Sequence, residues 1–107
     1  MTKRTPTHFR AQAKVMKALA HPTRMFIIDE LSRGERCVCE LTEMIEAEMP
    51  TVSRHLSQLK EAGLIADEKR GAKIYYRLRV PCCLDFLQCV ESVLAADSGG
   101  KACRSGC

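Results

Sequence analysis

At 107 residues the chain has room for one small domain, which buries only a modest share of its own surface, so burial shared with a second copy is expected. Seven cysteines, no apolar export segment at the start and no run of about 18 apolar residues exclude a disulfide framework and a membrane span, and point to a cytoplasmic protein with reduced thiols. The net charge of +4 is concentrated: residues 49–80 carry 7 Lys/Arg against 3 acids, a local excess of the kind that neutralises nucleic-acid phosphates.

Phe9, Ala13, Met16, Leu19 and Ala20 recur at helical spacing and predict a first helix over about 8–20. His21-Pro22 ends it, because the residue before proline is pushed out of the helical region. A second helix is expected over 22–31, with Phe26, Ile27, Ile28 and Leu31 buried and Gly34 as its stop. Cys37-Val38-Cys39 then leads into a third helix expected over 40–48, with Leu41, Met44 and Ile45 inward. Met49-Pro50 breaks it, and a fourth helix runs from about 50 or 51 to Gly63 with Val52, Leu56 and Leu59 on its inner face. Two short helices across a tight break, the second flanked by basic residues, form the helix-turn-helix pattern.

Beyond Gly63 the period changes. Residues 64–69 and 73–79 alternate about a turn at Arg70-Gly71-Ala72, which predicts a hairpin with a charged tip, a wing beside the helix pair. Pro81 suits the start of a last helix, on which Cys82, Phe86, Leu87, Cys89, Val90, Val93 and Leu94 make an apolar stripe too wide for one chain to cover. The expected fold is therefore mainly α with a β-hairpin, a winged helix-turn-helix dimerising through its first and last helices. The domain should span 1–96, with 97–107 a flexible tail carrying Cys103 and Cys107.

Taken together, Leu19-Ala20-His21-Pro22-Thr23-Arg24, Cys37-Val38-Cys39-Glu40-Leu41, Val52-Ser53-Arg54-His55-Leu56 through Ala62-Gly63-Leu64, and Arg70-Gly71 before Tyr75-Tyr76-Arg77-Leu78 resemble the ArsR/SmtB family of bacterial metalloregulatory repressors. The resemblance covers roughly residues 9–95, with four motifs in the family's order. It implies a homodimeric repressor of its own operon, released from operator DNA by an inducer. The Cys37/Cys39 pair resembles that of the arsenical and antimonial sensors, which add a third cysteine where this chain has Thr42. The family's zinc site on the last helix uses a histidine that this helix lacks.

Soft thiolates suit trivalent arsenic or antimony, acting as inducer and not as a catalytic cofactor. A third sulfur would come from Cys103, Cys107, Cys82 or Cys83. Residues two apart on a regular helix point about 200° apart, so Cys37 and Cys39 can share an ion only if the start of the third helix is held or pulled out of helical shape. Cys82 and Cys89, about 10.5 Å apart along a helix, cannot share one, and packing in the stripe suits them better. His21 suits a structural role before Pro22, and His8 is a weak ligand candidate.

For DNA, the outward positions of the fourth helix are Thr51, Ser53, Arg54, Ser57, Gln58 and Lys60, with His55 at the margin. Arg54 suits guanine and Gln58 adenine, while Lys69, Arg70 and Lys73 of the wing would approach the backbone or minor groove. Two other functions share the fold: a repressor that responds to thiol oxidation by forming a disulfide or persulfide, and a cadmium, lead or zinc sensor. A thiol enzyme is not expected, because no Cys-x-x-Cys stands beside a βαβ pattern and no catalytic Cys/His constellation is present.

Overall fold

The computed structural model describes residues 6–97, so Cys103, Cys107 and the rest of the tail lie outside the described residues. Helix α1 (Pro6–Leu19) is followed by α2 (Pro22–Leu31), which opens on proline, where a missing N–H costs nothing. His21 caps α2 from an extended backbone, its Nδ1 accepting the N–H of Thr23 at 3.1 Å, in keeping with the structural role expected of it. Strand β1 (Arg36–Cys37) follows, then α3 (Val38–Ile45) and α4 (Met49–Glu61). Strands β2 (Ile65–Arg70) and β3 (Lys73–Leu78) precede α5 (Cys83–Asp97).

The sheet is antiparallel with order β1-β3-β2. The wing hairpin is closed by Gly71, whose φ of 65° at the first place of a two-residue connection belongs to a type II′ turn. At the end of α4, Gly63 (φ 86°) completes a Schellman motif, with Gly63 N–H on Lys60 O and Leu64 N–H on Leu59 O. That motif turns the chain from the reading helix straight into the wing.

The core joins Leu19 of α1, Ile27, Ile28 and Leu31 of α2, Leu41 of α3, Val52, Leu56 and Leu59 of α4, Leu64, Ile65 and Cys83. Glu30 is buried at its edge and grips Arg36 Nε and Nη2 at 3.2 and 3.1 Å, which fixes β1 against α2.

Several expectations are corrected. Helix α3 begins at Val38 and ends at Ile45, not over 40–48, because Cys37 takes the cap and Glu46 turns left-handed (φ 58°). Strand β1 was not foreseen: two residues carry no periodicity, and they are strand only because β3 lies beside them. Phe26 and Met44, expected inward, are partly exposed (39% and 43%) and line a shallow groove with Pro22, Thr23 and Ile45. Cys82 lies in the turn before α5 and is exposed, while Cys83 packs into the core; the helix starts at Cys83, two residues after the start expected at Pro81, so Cys82 is not part of its apolar stripe. Phe9, Met16, Phe86, Val93 and Leu94 keep their outer faces uncovered in the single chain. No helix among the described residues is long and apolar enough to cross a membrane.

Candidate functional site: a capped thiol pair beside the reading helix and wing

Cys37 is both the last residue of β1 and the N-cap of α3, with an extended backbone (φ −85°, ψ 161°). Its Sγ faces the backbone N–H of Glu40 while the Glu40 carboxylate accepts the Cys37 N–H at 2.9 Å, a capping box with sulfur in the place of a hydroxyl. Cys39 is in the first turn of the helix, and because Cys37 is not helical the two sulfurs meet at 3.0 Å. Of the two alternatives expected, a helix start held out of helical shape or one pulled out of it, the structure has the first: Cys37 is extended and the cap already directs both thiols to one side. A thiophilic ion held at ~2.3 Å from each sulfur with near-tetrahedral angles needs them ~3.8 Å apart, a small adjustment.

The Cys37 thiol is raised above its ordinary pKa, first by its hydrogen bond with Cys39 and then by burial, against the pull of the Glu40 and Cys39 N–H groups. It holds its proton at neutral pH, and a bound ion must displace that proton. Glu40 is held low by the Cys37 N–H that it accepts.

The pair opens on a polar groove of about 390 Å³ lined by Glu35, Cys37, Cys39, Glu40, Glu43, Lys73 and Tyr75. Cys37 pairs with Tyr75 across the sheet, and Glu68 pairs with Tyr75 from the other side, so the thiols and the wing share one surface. There Arg70 makes a two-pronged bridge to Glu35 (2.9 and 2.9 Å), a second bridge to Glu68 (2.8 Å), and lies over the Tyr75 ring at 4.8 Å. Arg70 holds the Glu35 carboxyl below the usual range. The tip of the wing is thus fastened to the loop that precedes the thiols.

Sequence reasoning assigned Arg70 and Lys73 to DNA; the structure engages Arg70 in this clamp and turns Lys73 toward the thiol groove. Lys60 is paired with Asp67 at 3.0 Å, bracing α4 against β2. Thr51, Ser53, Arg54, Ser57 and Gln58 stand exposed on α4, His55 is half-buried beside them, and Lys69 is exposed without an ion pair among the described residues. No group of three His, Cys, Asp or Glu among the described residues could hold a metal ion. Cys82 and Cys83 therefore do not complete a three-ligand site in one chain; burial, followed by the neighbouring Cys82, raises the Cys83 thiol. Glu35 and Tyr75 were missed by sequence reasoning, since only the β1–β3 pairing brings them to the thiols. The Cys-x-x-Glu spacing of the capping box was the available signal for Glu40.

The family profile described as bacterial regulatory protein, arsR family, matches residues 21–67. An arsenical resistance operon repressor of Staphylococcus xylosus is 31% identical over 97 residues, which is 91% of this chain and 92% of that repressor. The chain belongs to the ArsR family. An arsenic resistance transcriptional regulator of Pseudomonas putida is 49% identical over 65 residues, 60% of this chain, and the match spans about half of that protein's length (51%). Among solved structures, the homodimeric winged helix-turn-helix DNA-binding domain of a possible ArsR-family regulator from Mycobacterium bovis matches with a TM-score of 0.77 at 27% identity, covering 98% of this chain and 97% of that one. The winged helix-turn-helix fold expected for this ArsR-family protein is the one found, and its relatives are DNA-binding transcriptional regulators, not enzymes.

Proposed function

We propose that this ArsR-family protein is a homodimeric repressor that leaves its operator, in the cytoplasm, when trivalent arsenic or antimony binds the thiolates of Cys37 and Cys39. The observation that carries this reading is the 3.0 Å approach of two sulfurs on the residue that joins the wing sheet to α3. Two soft ligands on one side suit a thiophilic ion, with a third thiolate supplied by Cys103, Cys107 or a cysteine of the second subunit. The relatives named as arsenical repressors support the same inducer.

Cys37 belongs to two elements at once, and that is the route to the DNA. When Cys37 gives up its proton and spreads from Cys39, the cap of α3 loosens and the β1–β3 pairing shifts. Helix α3 packs on α4, and the wing tip is tied to the same loop through Glu35 and Arg70. The reading helix and the wing therefore both lose register, and a coupling of about 1–3 kcal/mol, roughly 5- to 150-fold in affinity, is the usual size of such linkage. On the DNA side, Arg54 and Gln58 would read base edges while Thr51, Ser53, Ser57 and Lys69 hold backbone.

The same sulfur approach favours one second reading, oxidation of the pair by a peroxide or polysulfide. Operator release followed by fluorescence anisotropy separates the readings. Arsenite or antimonite releasing DNA in the presence of a monothiol reductant supports the proposal. Release by oxidant alone supports the redox reading, and release by cadmium, lead or zinc alone replaces the inducer.

A further inference from the structure

Two buried side-chain nitrogens have no hydrogen-bond partner among the described residues, Arg24 Nε and His55 Nδ1, and both lie where α2 meets α4. Native proteins pair nearly all such atoms, so two at one junction mark a place where a partner is missing. The His55 ring leans on the ring of His21 with centroids 4.4 Å apart. His21 already uses its Nδ1 to cap α2, so it cannot turn that nitrogen to His55. Burial holds the His55 imidazole below its ordinary pKa, and His21, Arg24 and Arg54 push the same way. Arg24, Arg54 and His55 make no ion pair among the described residues.

From Arg24 a groove of about 820 Å³ opens between α1 and α4. Lys14 and Lys17 stand on its α1 side, Gln58 on its α4 side, and Glu61 is the one acid lining it among the described residues. Gln58 is also an outward residue of the reading helix, so the groove continues the surface that faces DNA.

We propose that Arg24, flanked by Lys14 and Lys17 across this groove, is the seat of a backbone phosphodiester of the bound duplex. A phosphate oxygen would accept from the part of the Arg24 guanidinium that lines the groove, leaving the buried Nε untouched, and neutralise the crowding of like charge around His55. The contact carries no sequence information and sets how α4 lies in the groove of the DNA. It rests on the DNA binding of the family and not on the identity of the inducer.

The test uses the full chain on two duplexes of equal length, one selected by the protein from a random pool and one scrambled, titrated from about 50 to about 200 mM salt. Arg24→Gln should weaken both duplexes by the same factor and make the slope of log affinity against log salt shallower by about 1.8, the share of two phosphates, one for each subunit of the bound dimer. Arg24→Lys should keep most of that slope. Lys14→Gln with Lys17→Gln, two exposed changes remote from the core, should also make it shallower. Wild-type slopes in both glutamine variants, or a loss confined to the selected duplex at unchanged slope, overturn the phosphate seat. Should Arg24→Gln unfold the protein by circular dichroism, the double lysine variant decides in the same terms. Release of the wild-type complex by arsenite is scored separately, so failure of the inducer reading and failure of this contact give different results.

Discussion

Cys37 does two jobs with one sulfur: it caps α3 and is half of the thiol pair. Serine is a better N-cap than cysteine but a poor soft ligand, so the two jobs can be separated. Cys37→Ser should keep the midpoint of thermal unfolding within a few degrees of wild type while abolishing release by arsenite. Cys37→Ala should lose both, with about 1 kcal/mol of stability gone with the cap; urea denaturation beside the release assay measures the pair. His55 offers a second test at this scale. Its folded-state pKa lies below the ordinary histidine value of about 6.5, mainly through burial. Its share of stability is therefore complete above that value and is lost as pH falls through it toward the lowered one. The DNA-free protein should weaken as pH falls below about 6.5, and His55→Gln should flatten that part of the profile in urea melts.

At the scale of elements, the break between α3 and α4 is made by Glu46 in the left-handed region, where a side chain is strained and glycine is not. Glu46→Gly should stabilise the fold by about 0.5–1 kcal/mol, read as a rise of a few degrees in Tm. The clamp between Glu35 and Arg70 is exposed at both ends, so its work lies in geometry more than in stability. Arg70→Ala should leave Tm nearly unchanged but reduce the ratio of DNA affinities without and with arsenite by about 2-fold or more. Helix α4 was legible in the sequence because Val52, Leu56 and Leu59 repeat at the helical period and Gly63 marks its end. The wing was legible because alternation and Gly71 are local signals. The two-residue strand β1 was not, because it exists only through pairing with Tyr75 and Tyr76, far along the chain. For the same reason the site was only half legible: Cys37 and Cys39 stood out as a pair, but their shared side and their tie to the wing follow from the sheet.

For the whole molecule, the apolar stripes of α1 and α5 were visible from their spacing, but what covers them is not encoded in one chain's periodicity. Val93 is 61% exposed and Met16 50%, a cost that a second subunit would remove. Val93→Glu should leave the monomer folded and shift sedimentation from dimer to monomer, with affinity falling toward that of a single half-site. Thiol occupancy at Cys37 and Cys39 is proposed to loosen the hold on DNA, and a single titration decides between that linkage and its absence. Arsenite is added to the operator complex of the wild type and of the variant carrying Cys37→Ser and Cys39→Ser, with anisotropy as the readout. Release of the wild type alone is the predicted result; release of both at the same arsenite concentration would contradict it.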